Sequence, residues 1–183
     1  MVAGSLVGHR TAVDRVARMT TPAVVPVEQY VAGLNRKRTV AGVLFRDVRD
    51  RVLLLQPSYK PNWEIPGGAG EADESPWATA TREVAEELGI TDRPLGALLV
   101  VDYVRPQDGR DEGVVFVFDG GLVDETDLVG LSFTDGEILS AELCTEQQVR
   151  TVAKPLLADR IASALYAVRT GRTVLCEQGR PLA

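Results

Sequence analysis

Two runs of strand-forming residues stand close together in the first half of the chain. TVAGVLF, from Thr39 to Phe45, and RVLLLQ, from Arg51 to Gln56, are mostly β-branched or aliphatic, and the turn-like RDVRD lies between them. The pattern predicts a β-hairpin. A loop containing Tyr59, Lys60, Pro61 and Asn62 then leads into a short WEIP strand and the pair Gly67-Gly68. Leu95 to Tyr103 and Gly113 to Phe118 predict two further strands joined by the polar loop RPQDGRDE, and another runs through Glu137 to Leu143.

The apolar period changes from two to three or four between these strands. Trp77, Ala80, Val84 and Leu88 recur at helical spacing and form one stripe suited to packing on a core. Ser75 can cap this helix, Pro76 fits its first position, and Gly89 ends it. Thr145 to Val152 predicts a short helix, and Leu156, Leu157, Ile161, Leu165 and Val168 mark an amphipathic C-terminal one. Residues 1–35 mix small, polar and proline residues and are expected to form a partly flexible extension, with Met19 as an alternative start. Within it, Val24 to Leu34 can add a strand or a dimer contact. Residues 36–183 are expected to be one domain.

The polar face of the Trp77 helix carries chemistry. Glu83, Glu86 and Glu87 stand at i, i+3 and i+4, so their carboxylates share one arc, with about 6 Å of axial rise across the set. That spacing lets them share one or two small hard cations, and oxygen ligands of this kind suit Mg²⁺ or Mn²⁺. Arg82 adjoins Glu83 and precedes Glu86 by four residues, where it can offset repulsion among the acids.

The full run GAGEADESPWATATREVAEELGI, from Gly68 to Ile90, resembles the Nudix box, G-x5-E-x7-R-E-U-x-E-E-x-G-U with U a bulky aliphatic residue. Gly68, Glu74, Arg82-Glu83-Val84, Glu86-Glu87 and Gly89-Ile90 fill every slot. A chance match in a chain of this length has a probability on the order of 10⁻⁷. An acidic amphipathic helix alone would be an ordinary solvated face, but a solvated helix needs neither the preceding glycines nor the loop glutamate.

The resemblance implies an α/β fold, an α/β/α sandwich around a mixed β-sheet, and hydrolysis of a nucleoside diphosphate linked to another group. It implies Glu83, Glu86 and Glu87 as metal ligands, with the Gly68 carbonyl as an additional one, and Glu74 and Arg82 as residues that orient them. The general base is left between Glu86 and a later glutamate, most naturally Glu137 with Glu142 behind it. The substrate is left between an ADP-ribose or nucleotide-sugar type and a nucleoside triphosphate. Pro106, 16 residues after Ile90, leans weakly to the former, and Trp63 or Tyr59 can stack a base or serve the core. A catalytically silent nucleotide-binding module is the competing class.

Composition narrows the rest. With 183 residues, 45% hydrophobic and 25% charged, the chain can bury a core without disulfides. Cys144 and Cys176 are isolated and lack zinc spacing, and the single histidine, His9, lies in the N-terminal extension, so triad-type hydrolysis lacks a base. The net charge of −6 argues against a nucleic-acid polymer as partner. No membrane span or signal pattern is visible, and the expectation is a cytoplasmic protein acting on a small diphosphate, with a homodimer as the preferred assembly.

Overall fold

The structure is a computed structural model that describes residues 24–131, 133 and 136–182. His9 and Met19 lie outside the described residues. The chain divides into two compact units after Asn35. In the first, α1 (Val27–Ala32) is a short helix. Of the strand or dimer contact expected between Val24 and Leu34, the strand is not formed: the six residues VEQYVA wind into one helix directly after Pro26, its N-cap.

The second unit runs from β1 (Arg38–Arg46) through β2 (Val52–Pro57), β3 (Gly67–Ala69), α2 (Pro76–Leu88), β4 (Leu98–Val104), β5 (Gly113–Leu122), α3 (Glu125–Val129), β6 (Ile138–Cys144), α4 (Glu146–Val152), α5 (Pro155–Thr170) and β7 (Val174–Glu177) to β8 (Arg180–Pro181). An eight-stranded sheet has the order β6-β2-β1-β5-β4-β7-β8, with β3 paired to β1 off this path. It is mixed. β1–β5 and β4–β7 run parallel, and the other pairs are antiparallel.

Side chains alternate along each strand, and here both faces are apolar. Leu44, Val52, Leu54, Val115 and Val117 pack with Leu157, Ile161 and Leu165 of α5 on one face. Ala41, Val43, Phe45, Leu53 and Leu55 pack with Ala80, Val84 and Leu88 of α2 on the other. The result is the expected α/β arrangement, with helices covering each side of a mixed sheet.

Several boundaries differ from expectation for local reasons. The WEIP segment reduces to a single bridge, Leu55 to Glu64, and regular pairing resumes only at Gly67. β1 and β2 share the pair Arg46–Val52, because farther along β1 the same edge is taken by β3 at Val40, Ala41 and Gly42. β4 begins three residues later than predicted, after Gly96 has donated its N–H to the Asp119 carbonyl. Trp77, expected on the core stripe, is instead 45% exposed and meets Phe118 edge-on at 5.2 Å.

Three elements were not anticipated. α3 is one turn with a reciprocal Asp124–Asp127 capping box, too short for a periodic signal. β7 and β8 form a hairpin whose two loop residues, Gln178 and Gly179, both have positive φ, as a type I′ turn requires. The β-branched TV followed by QG is the signal that marks it.

This hairpin locks onto the core through charge. Asp102 of β4 is wholly buried; it accepts from Arg160 Nε at 2.8 Å and the Gly179 N–H at 2.9 Å, and pairs with Arg160 NH2 at 2.7 Å. One carboxylate thus ties β4, α5 and the β7–β8 turn. Removing one member of a buried pair leaves the other charge without compensation, which costs about 3–5 kcal/mol. Asp102→Ala is expected to lower unfolding free energy by that amount in urea titration; a loss below about 1 kcal/mol, the scale of an exposed pair, would show that the pair is not structural.

Candidate active site

The loop and helix that follow β3 build the site from local chemistry. Ser75 accepts from the Ala78 N–H at 3.1 Å and Pro76 occupies the first turn, so α2 starts where the sequence indicates. Gly67 has φ near +146°, and a Cβ there would fall 2.3 Å from the Ala41 carbonyl oxygen, so only glycine allows β3 to lie this close to β1. Gly67 then donates its N–H to Glu87 Oε2 at 2.8 Å.

Arg82 is the hub. Its Nε donates to Glu74 Oε1 at 2.9 Å and its NH2 to Glu74 Oε2 at 3.1 Å, a bidentate pair. NH1 donates to Glu83 Oε1 and to Glu86 Oε2, both at 2.9 Å, and NH2 also reaches the Ala69 carbonyl at 3.2 Å. Glu74 accepts in addition from Thr79 Oγ1 at 2.8 Å and the Glu71 N–H at 3.0 Å. One guanidinium therefore joins β3, the connecting loop and α2.

The carboxylates respond to these surroundings in opposite ways. The Arg82 hydrogen bond, helped by the Glu71 N–H, holds Glu74 down at about 2. Burial pushes Glu83 above the usual carboxylate range despite its bond to Arg82. Hydrogen bonding to Glu74 raises Arg82, which stays charged throughout. Glu83 lies against the main chain at Gly68: a Cβ there would fall 2.2 Å from Glu83 Oε1. The carboxylate occupies the place a side chain would fill.

The structure thus gathers Glu74, Arg82, Glu83 and Glu86 into one hydrogen-bonded group and sets Glu87 beside it on Gly67. Among the described residues no three acids, histidines or cysteines converge as a ready metal cage. The reason is visible: Arg82 lies between Glu83 and Glu86, while Glu87 faces the Gly67 N–H. The donor set nevertheless fits a hard divalent cation, with carboxylate oxygens on one helix arc and the Gly68 main chain in contact with Glu83. A cation there would hold the part-buried Glu83 ionised.

Glu137 and Glu142 come from elsewhere. Both are exposed and lie at or on β6, the outer strand beyond β2; the Glu137 carbonyl accepts from the Ser58 N–H at 2.7 Å. Tyr59 is exposed beneath Lys60, whose Nζ lies 4.9 Å from the ring centre. Trp63 is half-buried, packs on the core and also lines a cavity of about 190 Å³ shared with Gly67. Arg38, Arg110, Lys154 and Arg160 line the same cavity, and none was singled out from sequence. They come from β1, the β4–β5 loop and the start of α5, three segments far apart in sequence, so no spacing could reveal them.

A mixed sheet between helices thus carries this glutamate-bearing helix, entered through a glycine pair. The NUDIX domain profile matches residues 36–166, and the chain belongs to the Nudix family. It is similar to diphosphoinositol polyphosphate phosphohydrolase 3-alpha of Mus musculus, 42% identical over 83 residues, which is 44% of this chain and 49% of that protein. The chain thus spans about half the length of the curated relatives it matches. In fold it is similar to the MutT protein of Methanosarcina mazei Go1, at TM-score 0.55 and 22% identity over 76% of this chain and 99% of that one. The NUDIX domain of Shewanella oneidensis NrtR, solved with ADP ribose, gives TM-score 0.60 and 17% identity over 79% of this chain and 99% of that one. No helix among the described residues is long and apolar enough to cross a membrane.

Gly68→Ala is expected to displace Glu83 and lower turnover about a hundredfold, the scale of a misplacement near 1 Å, while the far-UV circular dichroism stays native. Unchanged turnover would remove Glu83 from the reaction. Glu74 sets an acid limit. Its folded value near 2 lies below the ordinary 4.5, so its stabilisation is complete above about 4.5 and lost as pH falls toward 2. The raised Glu83 has the opposite sign and favours the fold as it protonates. Between pH 5 and 2, Glu74→Gln should therefore lose stability less steeply than the native chain in urea titrations; parallel slopes would contradict the Arg82–Glu74 assignment.

Proposed function

We propose that the chain is a metal-dependent pyrophosphohydrolase that cleaves a diphosphate within a small molecule by attack of an activated water. The substrate class is a nucleoside diphosphate linked to another group: ADP-ribose, a nucleotide sugar or a nucleoside triphosphate. The observation that carries this reading is the packing of Glu83 against Gly68 within the Arg82 network, beside a cavity that shares Gly67. The similarity to diphosphoinositol polyphosphate phosphohydrolases adds diphosphates on phosphorylated polyols to the compounds worth testing.

Glu83, Glu86 and Glu87, with the Gly68 carbonyl, would hold Mg²⁺ or Mn²⁺. Bound there, such a cation supplies charge for the diphosphate oxygens and lowers the pKa of a coordinated water. Arg82 and Glu74 act as positioning residues: their bidentate pair keeps α2 and the loop in register, so the glutamates are presented without free rotation. Glu86 is over half exposed and can accept a proton at its carboxylate from a neighbouring water; Glu137, just before β6, is the alternative base. A cytoplasmic location belongs to the same reading.

The test is a panel of ADP-ribose, nucleotide sugars, dinucleoside polyphosphates, oxidised and normal nucleoside triphosphates and a diphosphoinositol polyphosphate, each with Mg²⁺ and with Mn²⁺. Metal-dependent cleavage is expected, reduced by about a hundredfold or more in Glu86→Gln if that residue is the base. Retained turnover in Glu86→Gln and loss in Glu137→Gln would transfer the role. A native-like chain that binds ADP-ribose but cleaves nothing would favour a nucleotide-binding module instead.

A further inference from the structure

The cavity beside Gly67 has an electrostatic character that the net charge of −6 conceals. Arg38 enters from the start of β1, Arg110 from the β4–β5 loop, and Lys154 and Arg160 from the first turns of α5. Two acids, Glu64 and Asp108, share the lining, and each has its own cation: Lys60 pairs with Glu64 at 2.7 Å and Lys154 with Asp108 at 2.8 Å. Arg160 is matched by the buried Asp102 at 2.7 Å. Among the described residues, Arg38 and Arg110 are the lining cations without a salt bridge.

Arg38 carries the strongest signal. Its Nε is buried and has no hydrogen-bond partner among the described residues. Burial, with Arg110 and Arg160 nearby, lowers its pKa, and Asp111 offsets this only in part. Leaving a buried donor without an acceptor is costly, and a guanidinium fork matches phosphate oxygens in geometry and charge. The start of α5 adds to the field. Lys154 gives its first turn no side-chain cap, Pro155 follows, and Leu156 and Leu157 from that turn line the cavity. Gly67 belongs to the same lining and donates to Glu87, so the cavity opens beside the box glutamates.

We propose that this cavity is a subsite for a phosphate group that the substrate carries in addition to the diphosphate being cleaved. The inference rests on the proposed diphosphate hydrolysis and narrows its substrates to phosphorylated ones. A neutral base stacked on Trp63 would leave the Arg38 Nε without an acceptor among the described residues; a further phosphate supplies it. The phosphate can stand on a ribose or on a polyol, and Asp102 fixes the Arg160 guanidinium through Nε and NH2 for either.

Three substrates under Mg²⁺ decide it: ADP-ribose, its 2′-phosphate, and a diphosphoinositol pentakisphosphate. The native chain is expected to favour at least one phosphorylated substrate over ADP-ribose by about tenfold or more in kcat/KM, and the preferred one identifies the carrier. In Arg38→Gln and Arg110→Gln that ratio should fall toward one; Arg110 lies on an exposed loop, so its variant serves if Arg38→Gln folds poorly. A ratio near one in the native chain, or one unchanged in the folded variants, overturns the subsite while leaving the hydrolase intact. Calorimetric titration with inositol hexakisphosphate, which has no diphosphate, provides the independent arm. Binding weakened about tenfold in Arg110→Gln supports the subsite even if no diphosphate is cleaved, an outcome that would reject the hydrolase alone; binding equal in both chains rejects the subsite.

Discussion

Arg82 makes the crowded acids of α2 compatible with a folded protein. Glu74, Glu83 and Glu86 all face one guanidinium, and the planar fork satisfies Glu74 with two donors while its other amino group divides between the two helix acids. A lysine would offer a single point charge and could not serve all three with this geometry. Because Glu74 lies in the loop and Ala69 in β3, the same residue sets the height of α2 over the sheet. The order of the site thus rests on an ion-pair network that is mostly shielded, where charge interactions are stronger than at an exposed surface.

The sheet turns this local network into a site with two parts. β1 pairs with β3 at one end and with β5 along its length, so the glycine pair and the β4–β5 loop are brought to the same region from positions some forty residues apart. α5 crosses the opposite face and brings Lys154 and Arg160 to the cavity. Its placement depends on Asp102, which is the second buried polar anchor and the reason the C-terminal hairpin closes the β4 edge.

Charge is arranged rather than merely abundant. The chain is acidic overall, yet Arg38, Arg110, Lys154 and Arg160 converge in the cavity, while Glu83, Glu86 and Glu87 share one arc of α2. Such separation suits a polyanionic ligand that meets one region through bound cations and another through guanidinium groups.

By itself the sequence determined the site helix almost completely. Ser75, Pro76 and Gly89 set its ends, and the arc of Glu83, Glu86 and Glu87 follows from helical geometry, because these are interactions between near neighbours. The strand runs of β1, β2, β5 and β6 were legible for the same reason, each being a local pattern. Tertiary structure decided what local pattern cannot encode. It set β3 on the β1 edge in place of a longer hairpin, partnered the buried Asp102 with Arg160 and Gly179, turned Trp77 outward and Trp63 toward the cavity, and brought Arg38, Arg110, Lys154 and Arg160 around one space. Those residues are separated by up to 122 positions, and their proximity arises only from the order in which strands pair and the face on which α5 packs.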